Sequence, residues 1–216
     1  MQNLELASYV YTKYSSLVGS EQIATKLALR TIAEHLDFTN PKSVLEIGSG
    51  IGTITELLTR KIPESIIYCY EVNEWCLIQL QKNVISPNIV IVKSENELKL
   101  IHDKIDFIIF DDYINFENTL DLIQKTKPES IFIEGYRRSQ RLYVMKSYKK
   151  IGWTFRFQNI RKSSDSIKGG CLITRQPSNI CVQLFLLGFI RMTLLYSKVL
   201  EIRSRISIRK ILGKVS

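Results

Sequence analysis

The chain has 216 residues, 45% of them hydrophobic and 24% charged, and a formal net charge of +9. This is enough for one well-buried α/β domain with an appendage, and neither internal repeats nor low-complexity runs are visible. Residues 1–20 lack a basic start followed by an apolar core, so no secretory signal is expected, and Cys69, Cys76, Cys171 and Cys181 contain no C-x-x-C pair that would indicate zinc or redox chemistry.

Residues 4–36 read as two helices, the second beginning at Ser20 and Glu21. Tyr9, Tyr11 and Tyr14 are closely spaced and offer large apolar area for docking the first helix on a sheet. Ser43–Ile47 is a short apolar run, the pattern of a buried strand, and Gly48, Gly50 and Gly52 form a turn at its carboxyl end before a helix over Thr53–Lys61. Glycine accepts positive φ and lets a ligand approach the main chain. In open α/β sheets ligands bind outside the carboxyl ends of the strands. The spacing here is G-x-G-x-G, not the G-x-G-x-x-G of dinucleotide binders.

A second strand, 65–70, ends at Glu71 and is followed by a helix over 73–83. Residues 88–92 give a third strand and 105–110 a fourth, which ends in Asp111-Asp112-Tyr113. A helix over 116–125, a fifth strand within 127–134 and a helix over 139–150 come next. The segment closes with strands at 153–160 and 171–174, joined by a polar turn holding Lys168-Gly169-Gly170. Alternating strands and helices imply parallel βαβ units, and the final pair an antiparallel hairpin.

The run Val44-Leu-Glu-Ile-Gly-Ser-Gly-Ile-Gly-Thr, with Glu46 two residues before the first glycine, resembles motif I of class I S-adenosylmethionine-dependent methyltransferases. The order of elements over about residues 42–175 is similar too, although the family's usual glycine pair after Pro128 is Glu129-Ser130 here. The resemblance implies an α/β fold: a three-layer α/β/α sandwich with a seven-stranded, mostly parallel sheet ending in an antiparallel hairpin. It divides the chain into an N-terminal helical cap (1–41), a cofactor-binding domain (42–176) and a C-terminal helical tail (177–216). It also implies S-adenosylmethionine as cofactor, held by Glu46, Gly48, Ser49, Gly50 and Gly52, with Glu71 on both ribose hydroxyls. Val72 and Asn73 on one side and Ser94 and Glu95 on the other would frame the adenine. The N-terminal helices often cover the pocket in this family, so the tyrosines either dock their helix or one of them covers the cofactor. Residues 14–19 could instead form a loop at the active site.

A sulfonium is already activated for methyl transfer, so the protein mainly has to hold donor and acceptor in line, aided by a base when the acceptor carries a proton. Groups at the carboxyl ends of the fourth and fifth strands satisfy that geometry: Asp111, Asp112, Glu134, Tyr136 and Arg137. Asp111, also beside the cofactor, is the first choice for substrate positioning or proton acceptance. Its plain alternative is a helix cap or a solvated loop acid. Asp112 and Arg137 complete the candidate catalytic set. Arg137, Arg138 and Arg141 either recognise an anionic group on the acceptor or form a solvated helix start. His102 precedes the fourth strand and His35 sits on the leading helix, both away from the chemistry.

Asp111-Asp-Tyr-Ile lacks the Asn/Asp-Pro-Pro-Tyr signature of enzymes that methylate amino groups of nucleic acid bases, and Glu134-Gly-Tyr supplies no Asp-Asn pair for a divalent metal. The expected acceptor is therefore a small organic molecule or glycan, methylated at oxygen without a metal. The alternative is an RNA methyltransferase, because the glycine turn resembles that of ribosomal RNA adenine dimethylases and positive charge suits a phosphate backbone. A second alternative is a non-catalytic scaffold.

Residues 176–216 contain seven basic side chains and one acid, Glu201. Residues 180–190 are almost wholly apolar, and Leu195, Val199, Ile202 and Ile206 share one helical stripe. The uncharged run 176–190 falls short of the ~18 residues that would suggest a bilayer span. The tail is expected either to attach peripherally to an anionic membrane face or to pack on the core or on a second subunit, with RNA contact third. A cytoplasmic location is expected.

Overall fold

A computed structural model describes residues 2–135, 137–162 and 165–176, with 161–162 and 165–168 as backbone only. These residues belong to one compact unit that ends at Gln176. Expectations for Tyr136 and for the tail from 177 onward lie outside the described residues.

Seven strands form one sheet in the order β3-β2-β1-β4-β5-β7-β6. They are β1 (Ser43–Ile47), β2 (Ile66–Tyr70), β3 (Ile89–Val92), β4 (Phe107–Phe110), β5 (Ser130–Ile133), β6 (Thr154–Lys162) and β7 (Asp165–Gln176). The first five are mutually parallel, while β7 runs antiparallel to both β5 and β6. The expected three-layer sandwich with its closing hairpin is thus present. Every residue of β1, β4 and β5 is buried, which requires helices on both faces. One face packs α2 (Lys26–Thr39) and α3 (Thr53–Lys61) through Leu29, Ile32 and Leu57, and α1 (Asn3–Ser15) joins the same core beside them through Val10 and Tyr14. The other packs α6 (Phe116–Thr126) and α7 (Arg138–Ile151) through Ile123, Val144 and Tyr148. Two further helices, α4 (Glu74–Asn83) and α5 (Glu95–Lys99), follow β2 and β3. Because the chain leaves β1 toward β2 on one side and returns through β4 on the other, a crevice opens at the carboxyl ends of β1 and β4.

Of the three tyrosines, Tyr14 and the partly buried Tyr11 dock α1 on the core, whereas Tyr9 stays 44% exposed. Tyr14 is fully buried, and Tyr9 lies under the Arg60 guanidinium at 4.8 Å. Lys13 and Arg60 pair with Glu56 of α3 at 3.2 and 2.7 Å.

Most boundaries fall within two residues of the sequence reading, and two differ by more. The second helix starts at Lys26, because Thr25 caps it by accepting the Ala28 N–H at 3.2 Å, while Ser20–Gln22 forms only a 3-10 turn. The last strand begins at Asp165, so Gly169 and Gly170 lie inside it rather than in a turn. A Cβ on Gly169 would sit 2.6 Å from the Ile160 carbonyl oxygen, so this glycine marks close backbone approach within the sheet.

At the amino ends of the strands, opposite the crevice, His35 is 8% exposed, packs on Phe107 and places Nε2 2.7 Å from Ser130 Oγ. Burial lowers its pKa from 6.5 to about 4. The folded state therefore binds fewer protons than the unfolded chain between those values. Its stabilising share is complete above pH 6.5 and is lost as the pH falls toward 4, about 3 kcal/mol in all. Urea unfolding from pH 7 to 4.5 should accordingly be less steeply pH-dependent in His35→Gln. An unchanged slope would contradict the assignment.

Candidate functional site

The β1–α3 turn is held in place by β2. The N–H groups of Gly48 and Ser49 both donate to the Tyr70 carbonyl, at 2.8 and 3.2 Å. Gly48 has φ +83°, and a Cβ there would meet Asp112 Cβ at 2.4 Å, so only glycine lets the β1 and β4 loops lie this close. Gly50, at φ +53°, has no atom within 4 Å of its Cβ position and faces open space.

Glu71 ties the turn to the end of β2. Its Oε2 accepts the Gly50 N–H at 2.8 Å, and its Oε1 accepts those of Val72 and Asn73 at 2.9 and 2.8 Å. A carboxylate offers roughly four lone-pair positions. Three are used here, so one ligand hydroxyl can bind directly and a second on release of Gly50.

Around this turn lies a cleft of about 400 Å3, within the range of about 300–1,000 Å3 typical of small-ligand sites. Its lining is acidic, with Glu21, Glu71, Asp111 and Asp112 against the single guanidinium of Arg137. The β1–β4 ladder sets Asp111, whose N–H donates to the Ile47 carbonyl at 2.8 Å. Arg137 Nη2 donates to both the carbonyl and Oδ1 of Asp111, the latter at 2.9 Å. Its Nη1 donates to Glu134 O and Oε2, each at 2.7 Å. Burial pushes the Asp111 carboxyl well above the usual carboxylate range; the Arg137 charge opposes this, and Glu134 and Asp112 add to it. Beneath the floor, Glu46 is fully buried and accepts the Thr55 hydroxyl at 2.6 Å, while its other oxygen has no partner. Burial raises its pKa strongly, the Thr55 bond opposes that, and nearby Asp111 and Glu71 reinforce it.

The structure therefore brings Gly48, Ser49, Gly50, Glu71, Asn73, Asp111, Asp112 and Arg137 together around one cleft. Gly52 lies outside the lining and faces Val84 and Leu80, while Glu46 lies below it. Val72 is exposed beyond the lining. Ser94 caps α5, and Glu95 lines a separate groove with Asn118 and Asp121. Arg137 reaches the cleft, but its guanidinium is engaged with Asp111 and Glu134 rather than free for an incoming anion. Residues missed by the sequence reading are Glu21, Gln22, Ile23, Ile51, Thr53, Ile54 and Cys76. The sequence signals for that N-terminal wall are the family's habit of covering the pocket with N-terminal helices and the loop suggested at residues 14–19, of which Gly19 does line the cleft.

Among the described residues no group of His, Cys, Asp and Glu is arranged to hold a metal, and no helix is long and apolar enough to cross a membrane. No protein-family model and no curated protein matches the sequence. Solved structures do match. An O-methyltransferase from Bacillus cereus in complex with S-adenosylhomocysteine superposes with a TM-score of 0.57 at 13% identity, over 82% of this chain and 91% of that one. The methyltransferase domain of bacterial CtHen1 gives 0.55 at 15% identity, over 70% and 98%. A precorrin-6y C5,15-methyltransferase from Geobacter metallireducens gives 0.56 at 14%, over 73% and 92%. The described unit has the fold of class I S-adenosylmethionine-dependent methyltransferases.

Proposed function

We propose that this protein is an S-adenosylmethionine-dependent methyltransferase acting on an oxygen nucleophile. The observation that carries the reading is the Gly48–Gly52 turn bound to Glu71 over an acidic cleft. Three features fit the cofactor. The Gly50 backbone is open to a ligand, the Thr53 hydroxyl at the cleft is buried without a partner, and the carboxylates suit a cofactor bearing a sulfonium and an ammonium. Bound there, S-adenosylmethionine would supply an activated methyl group. The chain's own contributions are positioning and charge. Glu71 holds ribose hydroxyls, Asn73 flanks the base, and the glycine turn lies against the amino-acid portion. Asp111, oriented by Arg137, whose charge favours the ionised carboxylate against burial, accepts the proton of an acceptor hydroxyl at the cleft.

The acceptor proposed first is a hydroxyl on a small organic molecule or glycan. Engagement of Arg137 by Asp111 and Glu134 weakens one of its supports, the anion-recognition role. A second reading, RNA, is favoured by a specific observation: α7, which begins at the cleft with Arg137 as its cap, carries no acid. The tail is proposed to attach the enzyme to an anionic membrane face or to a second copy. A reducing cytoplasm suits the free, buried Cys69 and Cys171.

Incubation with methyl-labelled cofactor and extracts split into RNA, protein, lipid and small-molecule pools tests both levels. Label transfer that disappears in Glu71→Ala is the expected result. Label in the small-molecule pool supports the first acceptor, and label in RNA replaces it with the second. Incorporation in no pool would overturn catalysis in favour of a scaffold.

A further inference from the structure

Charge is divided along this chain more sharply than its total suggests. Residues 1–134 contain 12 Lys and Arg against 19 Asp and Glu. Residues 135–176 contain 11 against one, Asp165. From 135 to 164 there are nine cations and no acid at all. The structure gathers part of this excess on one surface. Arg138, Lys146, Lys149 and Lys150 of α7 are exposed, whereas Gln140, Val144, Ser147 and Tyr148 on its opposite side are buried. From Arg138 to Lys150 the cations extend over about 18 Å at the usual helical rise. Among the described residues none of the four forms an ion pair, although acids elsewhere in the unit are paired repeatedly. The neighbouring helix α6 contributes Glu117 and Asp121, the latter paired with Lys125 at 2.8 Å.

We propose that the outward face of α7 is a docking surface for the phosphodiester backbone of single-stranded RNA, which it leads to the cleft at the helix's amino end. A row of unpaired cations with little exposed apolar area among them suits a polyanion's counterion-release chemistry better than insertion into lipid. Leu142 is the exposed large hydrophobic side chain on this helix. Next in sequence to the cleft-lining Asp112, Tyr113 is 53% exposed, offering a ring on which an unpaired base can stack. Binding itself is independent of catalysis; only its use in presenting an acceptor rests on the second, RNA reading of the methyl-transfer function, and with a small-molecule acceptor the surface would bind RNA without presenting it.

The test uses the full chain and a fluorescent 20-nucleotide oligouridylate, read by anisotropy. Four phosphate contacts, at a slope of about −0.7 each for single strands, weaken binding about 50-fold between 50 and 200 mM salt. The variant Arg138→Gln/Lys146→Gln/Lys149→Gln/Lys150→Gln should bind at least about tenfold more weakly at 50 mM and lose most of that salt dependence. Its melting temperature and cofactor affinity should be unchanged. A second variant, Arg203→Gln/Arg205→Gln/Arg209→Gln/Lys210→Gln, should retain most of the binding. The proposal is overturned if wild type fails to bind at 50 mM salt, or if the tail variant alone carries the loss. It also fails if the α7 variant loses binding to phosphatidylserine vesicles while its RNA binding is unchanged. Intact cofactor binding without RNA binding defeats this inference alone; absence of cofactor binding defeats the methyl-transfer reading instead.

Discussion

Glu71→Ala is expected to lower cofactor affinity at least about 100-fold, or about 2.8 kcal/mol. The carboxylate has two tasks that alanine cannot share. It accepts the N–H groups of Gly50, Val72 and Asn73, which fixes the glycine turn against the end of β2. In the proposed function it also accepts ribose hydroxyls from the end of β2. Removing it leaves three donors to find water and lets the turn drift, so part of the loss is preorganisation. Equilibrium dialysis with labelled cofactor measures the affinity, and a thermal melt separates it from unfolding. Affinity within about threefold of wild type would show that Glu71 is only structural.

Gly50→Val should be as damaging to binding but milder in its effect on the fold. The added Cβ has no protein atom within 4 Å, so it fills ligand space rather than colliding with the core. A β-branched residue at φ +53° costs roughly 1–2 kcal/mol of backbone strain, which a folded domain of this size tolerates. The expected pattern is a native-like melt with cofactor affinity reduced at least about 100-fold. Gly48→Val provides the contrast. Its Cβ would collide with Asp112, so it should lose stability and binding together. Equal affinity in Gly50→Val and wild type would place the cofactor elsewhere.

Much of this architecture was legible because the strands report themselves locally. Ser43–Ile47 and Thr53–Lys61 have the bounds expected from sequence, since a continuous apolar run and a glycine-bounded helical pattern leave few alternatives. The last strand reads too short from sequence because its first residues, 165–170, are polar and glycine-rich like a turn, and only antiparallel pairing with β6 makes them strand. Ser20–Gln22 has too few residues for any periodicity, so from sequence it merges into the helix that follows, and the wall it builds beside Gly19 is foreshadowed only in outline. The pairing of Arg137 with Asp111 is not legible from sequence, because the two lie 26 residues apart at the ends of different strands and meet only in three dimensions, whereas Glu134 is three residues away. Glu46 shows the same limit. Its position in the motif was plain, but its burial under the floor, bonded to Thr55, follows from α3 crossing β1.

The central claim is that the cleft at the carboxyl ends of β1 and β4 holds S-adenosylmethionine. Calorimetric titration of the full wild-type chain with S-adenosylhomocysteine tests it most directly. One binding site per chain is the predicted result, with the heat lost in Gly50→Val while that variant still melts cooperatively. A folded wild-type protein that gives no binding heat at several temperatures, or a Gly50→Val variant that titrates like wild type, would contradict it.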